Sequence, residues 1–410
     1  MKTLTERQHF AQRAWEHVRY LSAELGARMP ASPNYQAASQ YIEQHLRNCG
    51  LEVESQEWDA PAWQELETRL TVNGIELPAV ANAFSPSCQV STRLVPVGTL
   101  AELETAELTG KIGLLCGELT MYPLSPKTWF LASEKELHMI DLLEKKKPVA
   151  LITAHPRPGD LERLIEDDDF HIPSATVSSE VGRQLLENLD HEVHLILRTH
   201  SEPGRARNLV GRSFHGRGPR LVLCAHYDTK VDTPGATDNA SGVAVLLCLA
   251  EYFQRWPPQL DLEFVAFGSE EYLPIGDTVY LQNGAEELLP NMLAAINVDG
   301  IGRKLGVNSI AMFSESPAFH QRVEAIRAGY PSVVWTEPWP ESNHSTFAWR
   351  GVPSIAMTAR GGPYLHHLRH DSLEWIDAAQ LAEATALLSE IVADLATRSL
   401  AWTHPAVDLE

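Results

Sequence analysis

The stretch "AHYDTKVDTPGATDNASGVA", residues 225–244, decides the fold. It leaves the apolar run "LVLC" and places His226, Asp228, Asp232 and Asp238 within thirteen positions, just before an apolar helical pattern begins. Charged side chains at the end of a buried strand are costly unless they are paired or hold a cation. A strand, a polar turn and a helix in that order point to one unit of an α/β sheet.

The same pattern repeats outward from this stretch. "LVLCA" (221–225), "LEFVAF" (262–267), "LAAINV" (293–298), "SIAMF" (309–313) and "VPSIAMT" (352–358) read as apolar strands. Helices are expected over 241–256, closed by Pro257 and Pro258, and over 378–398. Apolar strands alternating with helices predict a mainly parallel central sheet flanked by helices on both faces. Upstream, residues 4–26 read as a helix. In a second helix Pro33 suits the first turn, and Tyr35, Ala38, Ile42 and Leu46 form its apolar stripe. Between 62 and 200 the character changes to short β-like runs and helical pieces without clustered histidines and acids. The expected organisation is therefore one domain from 1–61 and 201–410, interrupted by a mixed α/β insert at 62–200.

Three strand exits carry charge. The first ends in His226-Tyr227-Asp228, the second in Gly268-Ser269-Glu270-Glu271, the third in Asp299-Gly300. A later segment, "YLHHLRHDS", supplies His366, His367 and His370. Ligand sites in open α/β sheets lie at the carboxyl ends of the strands. Singly, an HxD pair is usually chance, an EE pair solvated surface and a loop histidine a loop histidine. Together they could be gathered by one cleft. Asp238, Glu271 and Asp299 would bring about three negative charges into it, which divalent cations neutralise. Mixed histidine and carboxylate donors suit zinc, with Mn²⁺ or Co²⁺ possible. Residues two apart on an extended chain share a side, so Asp228 is expected to accept the second ring N–H of His226 while Asp238 meets the metal directly. Asp232 has no such role and reads as a solvated loop residue.

Composition sets the limits. The net charge of −21 argues against nucleic acid or an anionic membrane as partner. The five cysteines are widely spaced without a CxxC, which fits core thiols in a reducing compartment. The first twenty-one residues have mixed charge and no apolar signal core, and no apolar run is long enough to span a membrane. A cytoplasmic protein is expected.

The motifs "HYDT…GATDNASGVA", "FGSEEY", "NVDGIG" and "HHLRHDS" resemble those of the co-catalytic zinc aminopeptidases, relatives of glutamate carboxypeptidase and of the catalytically dead transferrin receptor ectodomain. The resemblance spans 1 to about 60 and 206–400. It implies that two zinc ions are held, one by His226 and Asp299, the other by Glu271 and His367, with Asp238 bridging. It implies Glu270 as general base and acid, and a cis peptide after Asp238. His367 is preferred as ligand because the family places its last ligand four residues before an Asp, here Asp371. The insert resembles a protease-associated domain. Two departures stand out: Ser342-Asn343-His344 where the family often has Ser-Asp-His, and His366 where it often has Tyr. His366, Tyr364 and His344 are the candidates for a donor to the reacting oxygen or the substrate. The expected activity is that of a metal-dependent aminopeptidase acting on short peptides. The rivals are a one-zinc glutaminyl cyclase, a carboxypeptidase using Arg303, Arg350 or Arg360, and a non-catalytic binding module.

Overall fold

The computed structural model describes residues 2–124, 126–129, 131–159, 161–213, 219–272 and 275–405. It divides into two compact units, Met1–Ala60 with Arg205–Glu410, and Pro61–Gly204. Two long strands, Glu52–Val72 and Val193–Ser213, carry the chain from one unit to the other.

In the first unit the strand order is Val334–Trp335, Gly306–Phe313, Ser354–Gly361, Met292–Val298, Arg220–His226, Asp261–Phe267, and then the end of Val193–Ser213. Arg220–His226 pairs in parallel with both Asp261–Phe267 and Met292–Val298, and the latter pairs in parallel with Ser354–Gly361. Antiparallel pairs occur between Gly306–Phe313 and Ser354–Gly361 and between Asp261–Phe267 and Leu209–Ser213. The sheet is thus mainly parallel, as the apolar strand pattern predicts.

Strand alternation sorts the core. Leu221, Leu223 and Ala225 face a cluster built with the helices Leu4–Val18, Pro33–Asn48, Ser241–Arg255 and Ala378–Leu395. Val222 and Cys224 face the opposite cluster with Phe267, Tyr280, Met292 and Phe347. The N-terminal helix begins at a capping box, Thr3 with Glu6. It is shorter than the expected 4–26: regular α-helix stops at Val18, and Arg19–Leu25 continue as wider turns ending at Gly26.

Glycine matters most at Gly242, the second residue of helix Ser241–Arg255. A Cβ there would lie 2.1 Å from the Val298 carbonyl oxygen and 2.4 Å from Asn239 Oδ1. The helix start therefore presses directly on the end of strand Met292–Val298.

In the second unit a five-stranded sheet runs Val80–Ala81, Ser174–Val177, Ala150–Ala154, Ile112–Leu115, Leu94–Val97. The last four pair in parallel and the first antiparallel. Helices Leu100–Thr105, Glu134–Lys146 and Ser179–Leu186 accompany it.

Candidate metal centre

Parallel pairing brings the strand exits to one edge. His226 ends its strand opposite Phe267, after which the chain turns through Gly268 to Glu270 and Glu271. Asp299 follows Val298, its N–H donating to the Met357 carbonyl at 2.9 Å. Asp238 lies in the irregular segment Ala236–Ala240 ahead of helix Ser241–Arg255, and its peptide bond to Asn239 is cis, as the resemblance implies. His367 comes from the loop after strand Ser354–Gly361.

These side chains form two overlapping groups, His226 with Asp238 and Asp299, and Asp238 with Glu271 and His367. Within each group the donor atoms lie within 4.8 Å of one another. His226 Nε2 is 3.3 Å from Asp238 Oδ1 and 3.3 Å from Asp299 Oδ1. His367 Nε2 is 3.2 Å from Glu271 Oε2 and 3.7 Å from Asp238 Oδ2. Asp238 thus turns one oxygen to each group. Glu270 belongs to neither, but its Oε2 is 4.0 Å from His226 Nε2.

The centre attracts positive charge. Burial lowers the basicity of His226, yet Asp299, Asp228 and Asp238 raise its pKa well above the usual imidazole value. Burial raises the Asp238 carboxyl, but hydrogen bonds from His226 and His366 hold it well below the carboxylate range. Burial, then neighbouring carboxylates, push Glu270 well above its ordinary value and raise Glu271 too. Glu271 Oε1 is buried and has no hydrogen-bond partner among the described residues. An orphaned carboxylate oxygen beside an imidazole and a second carboxylate fits a cation, and the nitrogen and oxygen donor set fits zinc.

Asp228 stands beside His226 as expected, its Oδ1 3.5 Å from His226 Nδ1, but the pair falls short of a hydrogen bond, and Nδ1 has no hydrogen-bond partner among the described residues. Asp228 instead accepts the backbone N–H groups of Glu270 and Glu271, each at 3.1 Å. The two-residue spacing put Asp228 on the right side of the strand, but the turn's own donors compete for its oxygens. The same two loops are joined by Lys230 to the Glu271 carbonyl and by Val231 N–H to Tyr272 Oη at 2.6 Å.

Asp371 was legible only as a landmark for His367. It is fully buried and accepts the N–H groups of Thr237 and Asp238, each at 2.9 Å, and the Thr237 hydroxyl at 2.6 Å. It therefore fixes the backbone that presents Asp238. Asn239 does the same from the far side, donating to the Val298 carbonyl at 2.9 Å and accepting Gly242 N–H. Nothing in residue spacing signals such contacts.

His366 is not adrift in solvent. Arg303 donates to its Nε2 at 2.7 Å, so the proton sits on Nδ1, 3.5 Å from Asp238 Oδ2. This engages Arg303, the first arginine considered for a substrate carboxylate. Arg350 donates to the Thr346 carbonyl, and Arg360 is exposed. Tyr364 is about half exposed, its ring edge-on to His366 at 5.8 Å. His344 is corrected as a donor candidate. It is fully buried between Phe313 and Trp339, with Nε2 donating to the Trp339 carbonyl at 2.7 Å and Nδ1 left as an acceptor. Asn343 has a clear reason. Its amide donates to both oxygens of buried Asp277, at 3.1 and 2.9 Å, where an aspartate would repel. Asp232 pairs with Arg369 at 3.3 Å, away from both groups.

Carboxylates and imidazoles gathered at the C-terminal edge of a mainly parallel sheet fit a metal centre of the kind that zinc-dependent hydrolases use. Residues 208–392, just under half of the chain, match Peptidase family M28. The chain is similar to aminopeptidase YwaD of Bacillus subtilis, 25% identical, over 93% of this chain and 84% of that protein. It is 26% identical to the probable lipoprotein aminopeptidase LpqL of Mycobacterium tuberculosis, over 68% of this chain but 55% of that protein. Among solved structures, a zinc aminopeptidase from Bacillus subtilis superposes with a TM-score of 0.77 at 21% identity, covering 98% of both chains.

Proposed function

We propose that this protein is a zinc-dependent aminopeptidase with two ions per chain, removing the N-terminal residue of short peptides. The observation that carries the reading is Asp238, shared by a His226–Asp299 group and a Glu271–His367 group. Those five residues would hold the ions, and bound zinc supplies Lewis acidity and makes water more acidic.

The chain's own residues do the rest. Glu270, outside both groups yet beside His226, takes a proton from the attacking water as its oxygen bonds to the scissile carbonyl carbon. It returns that proton to the amine nitrogen as the C–N bond breaks. His366 holds its Nδ1 proton in a long 3.5 Å contact with Asp238 Oδ2, and turning that proton to the carbonyl oxygen would make it the donor for the negative charge that develops there. The substrate's free α-amine is read as lying against Asp299. The five cysteines are unpaired thiols, which supports a reducing compartment such as the cytoplasm. The Pro61–Gly204 unit is read as a protease-associated-like module.

The test is a panel of aminoacyl p-nitroanilides, short peptides and their N-acetylated copies, with metal-stripped and zinc-reloaded protein. Cleavage of free N-termini alone, restored by zinc, is expected. Equal cleavage of acetylated copies would overturn the exopeptidase reading, and cyclisation of N-terminal glutamine without hydrolysis would replace it with the cyclase.

A further inference from the structure

Arg28 is fully buried, one of the largest side chains in the protein without solvent contact. Burying a guanidinium is costly, and contact carboxylates usually compensate. Here its hydrogen bonds go to backbone carbonyls. Nε donates to Tyr227 at 2.9 Å, and one terminal nitrogen reaches Leu21, Gly26 and Pro234, each at 2.8 Å. The other donates to Gly235 at 3.0 Å. Its own N–H donates to the Thr229 hydroxyl at 2.8 Å, and its carbonyl accepts Thr229 N–H.

These partners fall in three segments. Leu21 and Gly26 belong to the end of the first helix. Tyr227 and Thr229 flank Asp228 at the strand exit. Pro234 and Gly235 form the turn that leads to Asp238. Gly235 takes a positive φ of 57°, and a Cβ there would lie 2.3 Å from the Asp238 carbonyl and 3.0 Å from the Arg28 guanidinium. The turn is thus moulded around the arginine. A buried irregular loop must satisfy every backbone polar group. The N–H groups of Thr237 and Asp238 go to Asp371; the carbonyls of Pro234 and Gly235 go to Arg28. The charge is balanced at a distance. Burial draws the Arg28 pKa down to about 10, while Asp371, Asp228, Asp238 and Glu271 support the cation.

We propose that Arg28 is a positioning residue for the metal centre, its planar fork holding the strand exit of His226 and the turn before Asp238 in one register. Lysine keeps the charge but offers a compact ammonium that cannot span five carbonyls. The inference rests on the zinc peptidase reading, and its test separates the two.

The full chain is compared with Arg28→Lys and with the milder Thr229→Val, which removes only the hydroxyl accepting Arg28 N–H. Thermal melting, zinc loss to a chelator, the visible spectrum of the cobalt-substituted protein, and kcat and KM on an aminoacyl p-nitroanilide are measured. Arg28→Lys should release zinc faster and lower kcat by ~10- to 100-fold at nearly constant KM, as for other groups that orient metal ligands. Its cobalt spectrum should change, and Thr229→Val should shift each value the same way by less. Wild-type zinc retention, spectrum and kcat in folded Arg28→Lys overturn the proposal. If that variant does not fold, wild-type values in Thr229→Val overturn it. Failure of the peptidase reading shows separately, as unaltered protein without zinc-dependent turnover; zinc retention and the cobalt spectrum still decide the role of Arg28.

Discussion

Both units contain a parallel sheet with apolar strands, yet their strand exits are used differently. In the first unit the exits deliver His226, Glu270 with Glu271, and Asp299 to one edge. In the second unit the strand Leu94–Val97 leads into Thr99, and Ser174–Val177 into Ser178, and both residues cap helices. Ala150–Ala154 ends in His155, which is as buried as His226. Among the described residues His155 Nε2 has one carboxylate within reach, Glu162 at 3.4 Å, and Arg157 holds that same carboxylate at 3.0 Å. Among the described residues His226 has four carboxylates within 4.0 Å and no arginine partner. The histidine at a strand end does not distinguish a site from a scaffold. The surplus of negative charge around it does.

The strongest way to break this comparison is Glu270→Gln. It should lower turnover by ~100- to 10,000-fold while zinc content stays at the wild-type value. Metal analysis beside steady-state kinetics checks it, and parallel loss of zinc would make Glu270 a ligand.

Next is Asp371→Asn, which turns an amide toward the N–H groups of Thr237 and Asp238. Chelator competition should show zinc held ~10- to 100-fold less tightly. Urea unfolding should show about 1–3 kcal/mol lost for the unpaired donors. Unchanged zinc retention would confine Asp371 to a role in stability.

The third sharpens the meaning of surplus charge. Burial raises buried Asp277 from the ordinary 3.8 to about 6, despite hydrogen bonds from Thr346 and Asn343. A carboxyl raised on folding contributes stability fully below 3.8 and loses it as pH rises through about 6. Relative to Asp277→Asn, the wild type should lose up to about 3 kcal/mol over that window. Urea unfolding at intervals from about pH 4 to about pH 7 measures it, and a flat difference would show the shift is absent.

The smallest effect is expected in the second unit. His155→Gln should cost about 1 kcal/mol of stability and leave zinc content and turnover within ~2-fold. A fall in zinc would erase the contrast between the two histidines.

Much of this was legible in the sequence, for a physical reason. Fully apolar strands between helices leave few arrangements other than a covered parallel sheet, and its C-terminal edge then follows. Strands 221–225, 262–267 and 293–298 lie where periodicity puts them, within a residue at each end. The gathering of His226, Asp238, Glu271, Asp299 and His367 follows from the exits together with the family resemblance. What stayed hidden was contact with backbone. Asp228 and Asp371 bind N–H groups, and Arg28 binds carbonyls. Every residue offers those groups, so no pattern of side chains announces them. His344 misled because a histidine in a loop motif looks the same whether it faces a cleft or an aromatic core.

One consequence lies in Gly242, where the helix start meets the Val298 carbonyl with no room for a methyl group. That crossing sets the calibre of the centre, since Asp238 precedes the helix and Asp299 follows the strand. An added methyl would back the helix away and open the gap between the two carboxylates. The spacing of the two carboxylates is thus held by a residue that has no donor atom of its own to bring to the centre.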